Sequence, residues 1–121
     1  MRQRPIFDEQ YQERVCFGPG RVACVRVLRP EDRERILEAQ LPRSRLRLEL
    51  DFFSPEERRA RRVALIALDE NGRALGAARA FRVRSDVWSA TITAIDPELT
   101  SALLDRLTQA MLDRGATMKL R

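Results

Sequence analysis

The sequence predicts a mixed α/β (α+β) domain, a mainly antiparallel sheet flanked by helices. Three observations lead there. Apolar residues alternate on either side of Gly18-Pro19-Gly20, and a short apolar run leads into Asn71-Gly72, which are hairpin signals. Residues 87–95, Val87-Trp88-Ser89-Ala90-Thr91-Ile92-Thr93-Ala94-Ile95, read as a strand running straight into a helix, since β-branched and aromatic side chains fit a pleated, half-buried surface. A short final strand follows that helix at residues 117–121, and a helical crossover between two strands pairs them in parallel.

Taken in order, residues 1–10 form a flexible arm and residues 11–17 and 21–29 the first hairpin, with Val15, Phe17, Val25 and Val27 alternating. Pro30-Glu31-Asp32 opens a helix that carries Ile36, Leu37 and Leu41 until Pro42 stops it. Residues 44–53 satisfy two templates: Leu46, Leu48 and Leu50 alternate as in a strand, while Leu46, Leu50 and Phe53 share one helical face. Helix is preferred, because Ser54-Pro55-Glu56-Glu57 reads as a fresh capping box. The second helix so opened ends in Arg58-Arg59-Ala60-Arg61-Arg62, a solvated, dipole-compatible terminus.

Val63-Ala64-Leu65-Ile66-Ala67-Leu68 is a buried strand, Asn71-Gly72 the turn, and residues 74–84 the returning strand, where Gly76 allows a bulge or a close backbone approach. Ser85-Asp86 turns the chain into the strand at 87–95. Asp96-Pro97-Glu98 then gives a helix an N-cap acceptor, a proline at the first position and an acid in the first turn. Leu99, Leu103, Leu104, Leu107, Ala110 and Met111 follow at helical spacing, and Gly115 is the C′ candidate. Leu103, Leu104, Leu107 and Met111 are expected to pack against Ile66, Leu68 and Ile92 of the sheet.

With 121 residues, residues 1–121 make one domain with room for a core. Apolar content of 44% and charged content of 34% describe a globular chain. No apolar run approaches the about 20 residues of a membrane span, and Met1-Arg2-Gln3-Arg4 leads into no signal-like apolar stretch. The expectation is a cytoplasmic protein with no membrane partner.

A net charge of +5 raises nucleic acid as a partner. Against it, Lys119 is the sole lysine among 23 basic residues, arginines interleave with acids in Glu31-Asp32-Arg33-Glu34-Arg35, and no basic-aromatic platform appears. Histidine is absent, which removes His-metal sites, His triads and a His base. Neither a catalytic nor a metal-ligating residue is assigned. Cys16 and Cys24 flank the first turn. If the hairpin pairs them they are neighbours close enough to bridge, although a cytosolic setting favours reduced, partly buried thiols.

Arg26-Val27-Leu28-Arg29-Pro30-Glu31-Asp32 reads R-x-hydrophobic-R-P-x-D, a strand-to-helix opening that resembles that of the Gcn5-related N-acetyltransferase (GNAT) superfamily. Leu41-Pro42-Arg43-Ser44-Arg45 with Phe52-Phe53-Ser54-Pro55-Glu56-Glu57 resembles a segment of bacterial members similar to protein-lysine acetyltransferases. Residues 63–69, Gly72 and Leu75-Gly76-Ala77-Ala78-Arg79 match their hairpin, and Ala102-Leu103-Leu104-Asp105-Arg106-Leu107 with Arg114-Gly115-Ala116 their long helix. The resemblance covers about residues 11–121 and implies a GNAT-like sheet truncated after the fifth family strand, without the last helix and two strands.

That resemblance also implies acetyl-CoA as cofactor, its pyrophosphate held by a Q/R-x-x-G-x-G/A loop whose glycines open backbone N–H groups to phosphate. At this junction the chain has Asp96, Pro97, Glu98, Leu99, Thr100 and Ser101, with no glycine, two carboxylates and a proline lacking an N–H. The family glutamate on the central strand falls at about Ala90, and the only tyrosine, Tyr11, lies in the wrong element. The expectation is therefore a catalytically degenerate acetyltransferase-fold domain without a cofactor, acting by protein binding, as a regulatory or self-associating unit. An active acetyl-CoA-dependent N-acetyltransferase and a basic nucleic-acid-binding module are the alternatives. The expected partner is a protein, most simply a second copy in a homodimer, through the exposed edge at Thr117, Met118, Lys119 and Leu120. Trp88 and its strand are the next candidate surface.

Overall fold

A computed structural model of the chain describes residues 10–53, 62–84, 87–112 and 117–120. Its described strands form a six-stranded sheet in sequence order. They are β1 (Gln12–Gly18), β2 (Arg21–Val27), β3 (Arg62–Leu68), β4 (Ala74–Arg84), β5 (Val87–Ala94) and β6 (Thr117–Leu120). The first five run antiparallel, and β6 pairs in parallel with β5, from Val87 opposite Thr117 to Ala90 opposite Leu120. Between β2 and β3 lie a 3-10 turn (Pro30–Asp32), α1 (Arg33–Glu38) and α2 (Arg45–Phe53). The crossover from β5 to β6 contains α3 (Pro97–Leu112). No described helix is long and apolar enough to cross a membrane.

Of residues 44–53, Arg45–Phe53 are helix. Leu48 and Phe52 bury beneath α2 while Leu46 and Leu50 are exposed, whereas strand alternation would set all four on one face. α1 is shorter than expected: Ala39 turns extended at ψ 148°, and Leu41 reaches the core from the loop beyond it. The capping box at 54–57, residues 58–61 of the basic run, the arm at 1–9, the turn at 85–86 and Gly115 lie outside the described residues, whereas Arg62, expected at a helix end, opens β3.

The sheet separates two cores. On one face α3 buries Leu99, Leu103, Leu107 and Met111 against Val15, Phe17, Ala23, Val25, Val63, Leu65 and Ala67, with Ile92 packed beside them. On the other, α1 and α2 bury Ile36, Leu48 and Phe52 against Ile66, Leu68 and Ala77. This corrects the expected partners of the long helix, because Ile66 and Leu68 face away from α3. Leu104 is only half-buried, and Leu99 takes the core position in its place.

The first hairpin corrects the cysteine pairing. Gly18 faces Arg21 across a two-residue tip, and a bulge between Cys16 and Gly18 sets Cys16 opposite Val22 and Cys24 opposite Arg14. Both thiols are free, Cys16 exposed and Cys24 half-buried. On the second hairpin, Gly72 takes the left-handed φ of 79° that its turn requires. Gly76 sits where a Cβ would come within 3.0 Å of both the Ala94 Cβ and the Thr93 carbonyl oxygen, so β4 and β5 approach closely only because that position is bare.

Candidate functional site

The junction of β5 and α3 is closed by Asp96. One carboxylate oxygen, Oδ1, accepts the backbone N–H of Leu99 at 2.9 Å, while the Asp96 carbonyl accepts from the N–H of Thr100 at 3.2 Å and from its hydroxyl at 3.1 Å. This is an N-cap, in which a short acidic side chain satisfies a donor that the helix start leaves free. The other oxygen, Oδ2, pairs with the guanidinium of Arg21, 75 residues away. That guanidinium also lies over the Phe17 ring, 4.5 Å from its centroid, so the hairpin tip and the helix start are tied together. The Leu99 N–H first, and Arg21 with it, hold the Asp96 carboxyl below its usual range.

The other junction residues divide. Pro97, Glu98 and Ser101 are exposed, Thr100 is half-buried, and Leu99 is fully buried in the α3-side core. Leu99 is thus a packing residue.

On β5, Ala90 is buried opposite Ala80 in the α3-side core. The opposite face of the strand carries Ser89, Thr91 and Thr93, all buried, with Arg79 of β4 buried across from Thr91. The Arg79 guanidinium lies 4.6 Å from the Phe81 ring centroid, and the Thr93 hydroxyl has no hydrogen-bond partner among the described residues. These groups are alcohols and an arginine, none of which serves as a general base near neutral pH. Among the described residues the backbone of β6 pairs with residues 87–90, and the carbonyl of Ile92 is met at 3.5 Å by the Arg43 guanidinium. Among the described residues no cluster of three His, Cys, Asp or Glu side chains could hold a metal.

Trp88 is 8% exposed in the α3-side core, and its strand is flanked by β4 and β6. Neither offers a free surface, which corrects its place as the second interface candidate. Thr117, Met118, Lys119 and Leu120 form a sheet edge among the described residues, as β1 does on the far side.

Sequence reading missed Arg21. Its partner lies at the opposite end of the chain, and no spacing rule links a turn arginine to a helix cap that distant. The resemblance motif from Arg26 to Asp32 acquires a structural meaning instead: the Arg26 fork donates to both Asp32 oxygens at 2.8 and 2.7 Å, and the Arg29 N–H donates at 2.8 Å. That motif locks the strand exit to the first helical turn.

Comparison with solved structures finds the GNAT domain of S. lividans PAT, at a TM-score of 0.69 and 19% identity, covering 94% of this chain and 80% of that one. The chain has the GNAT fold. No protein-family model and no curated protein matches the sequence. α3 is the helix whose N-terminus the resemblance assigns to the pyrophosphate.

Proposed function

We propose that this chain is a catalytically degenerate acetyltransferase-fold domain that works by binding protein, as a regulatory or self-associating unit. The Asp96 carboxylate carries the reading. It takes up the α3 N-terminal donor and the nearby Arg21, the two groups at this junction best suited to a phosphate. Pro97 supplies no N–H, and Glu98 adds a second negative charge. The residues present do not fit the pyrophosphate of acetyl-CoA. The absence of an acid from β5, with an alanine buried at position 90, supports the same reading.

The likeness to the GNAT domain of S. lividans PAT favours acetyl-CoA-dependent N-acyl transfer as the second reading. Isothermal calorimetry of the full chain with acetyl-CoA and with CoA separates the two. The expected outcome is no saturable heat at ligand concentrations up to about a millimolar. Saturable micromolar binding overturns the proposal.

A further inference from the structure

Helix α2 leaves two leucines outside and draws one acid in. Leu46 and Leu50, one turn apart, are 68% and 52% exposed, whereas Asp51 on the same helix is 6% exposed. The buried carboxylate accepts from Arg43 at 3.0 Å and lies 3.4 Å from the Nε of Arg47, and Glu49 is paired with Arg33. Both acids of α2 are therefore neutralised by neighbours. Arg45 is exposed without an ion pair among the described residues, and the Arg47 side chain is 54% exposed. The outward result is an aliphatic pair bordered by arginine charge.

Two leucines do not bury the about 800 Å² per partner of a standard stable dimer interface. Their size and spacing suit one face of an incoming helix with anchors at i and i+4, and the arginine border sets the sign of that helix.

The geometry points to the outer face of α2 as the docking surface for an acidic amphipathic helix of a partner protein, its aliphatic stripe on Leu46 and Leu50 and its carboxylates on Arg45 and Arg47. This deepens, and rests on, the protein-binding reading above. It makes charge the source of specificity and apolar contact the source of affinity.

The test uses the full chain and three fluorescein-labelled synthetic helical peptides. One carries Leu at i, i+4 and i+7 among Glu, one has each Glu replaced by Lys, and one is a scramble of the first. By anisotropy the Glu peptide is expected to bind at least about tenfold more tightly than the other two. Leu46→Glu and Leu50→Glu should each weaken it about tenfold or more while leaving the far-UV dichroism and melting midpoint unchanged, since both side chains are exposed. Arg45→Glu should erase the preference for Glu over Lys. Equal binding of the Glu and Lys peptides, or binding indifferent to Leu46 and Leu50, overturns the proposal. So does self-association by light scattering that Leu46→Glu abolishes, or sedimentation with phosphatidylserine vesicles that requires these leucines. Failure of the Glu peptide in a chain that also ignores acetyl-CoA removes this surface alone; saturable acetyl-CoA binding removes the degenerate-enzyme reading whether or not the peptide docks.

Discussion

The Arg26 guanidinium grips both carboxylate oxygens of Asp32, a side chain only 3% exposed. Burial alone would raise the Asp32 carboxyl, but the Arg26 fork and the Arg29 N–H outweigh it and hold the group below the ordinary carboxylate range. Because the folded value lies below the unfolded one, the resulting stability is fully present above about pH 4 and fades as pH falls through the folded value. Urea midpoints of the wild type and Asp32→Asn, measured from pH 7 to pH 2, should lie apart at neutrality and converge in acid. At pH 7, removing one partner of this buried pair is expected to cost about 3–5 kcal/mol.

Gly76→Ala should destabilise the chain by about 1–3 kcal/mol, because the new methyl meets the Ala94 Cβ and the Thr93 carbonyl at 3.0 Å. Equilibrium urea unfolding reads this directly, and a neutral result would mean that β5 yields without strain.

Leu107→Ala should cost about 2–5 kcal/mol, since the side chain is fully buried beneath the sheet. Leu104→Ala, at a half-buried position, should cost clearly less. Reversal of that order in thermal or urea unfolding would place the wrong face of α3 on the sheet.

How legible this was in the sequence depended on how local each cause is. The Asn71-Gly72 turn, the Asp96 cap and the spacing of Leu99, Leu103 and Leu107 are local, and strands and helix stand where those signals put them. The side of the sheet was not legible, because Val63-Ala64-Leu65-Ile66-Ala67-Leu68 is apolar on both faces and its alternation carries no label for which helix covers which. The cysteine register turned on the position of the hairpin tip: with Gly18 opposite Arg21, Cys16 would face Ala23 even without the bulge, and the bulge moves it on to Val22. At the candidate site, the missing glycines and the carboxylate of Asp96 were readable, whereas its pairing with Arg21 was not.

Self-association through the β6 edge makes a separate prediction. Light scattering at high micromolar concentration should give about twice the 14.0 kDa chain mass, and deletion of residues 117–121 should return it to the monomer value. A monomer in the intact chain ends the homodimer, and a dimer surviving the deletion moves the interface elsewhere, with the exposed edge of β1 next in line.

Arg21→Ala should lower the melting midpoint measurably while leaving acetyl-CoA without saturable heat in calorimetry. Gain of acetyl-CoA binding on removing this arginine would mean that the ion pair with Asp96, and not the shape of the junction, keeps the cofactor out.

The α3-side core joins the first hairpin to the last described helix: Val15, Phe17, Ala23 and Val25 share one cluster with Leu99, Leu103, Leu107 and Met111. During synthesis the hairpin leaves the ribosome with nothing to lie against until α3 follows, a wait on the order of ten seconds at ordinary elongation rates. For that interval its apolar face is open to water and to chaperones, and the domain can close only after translation has passed α3. Ribosome-bound fragments ending before residue 97 should therefore remain protease-sensitive throughout, and protection should arrive in one step once α3 is clear of the exit tunnel.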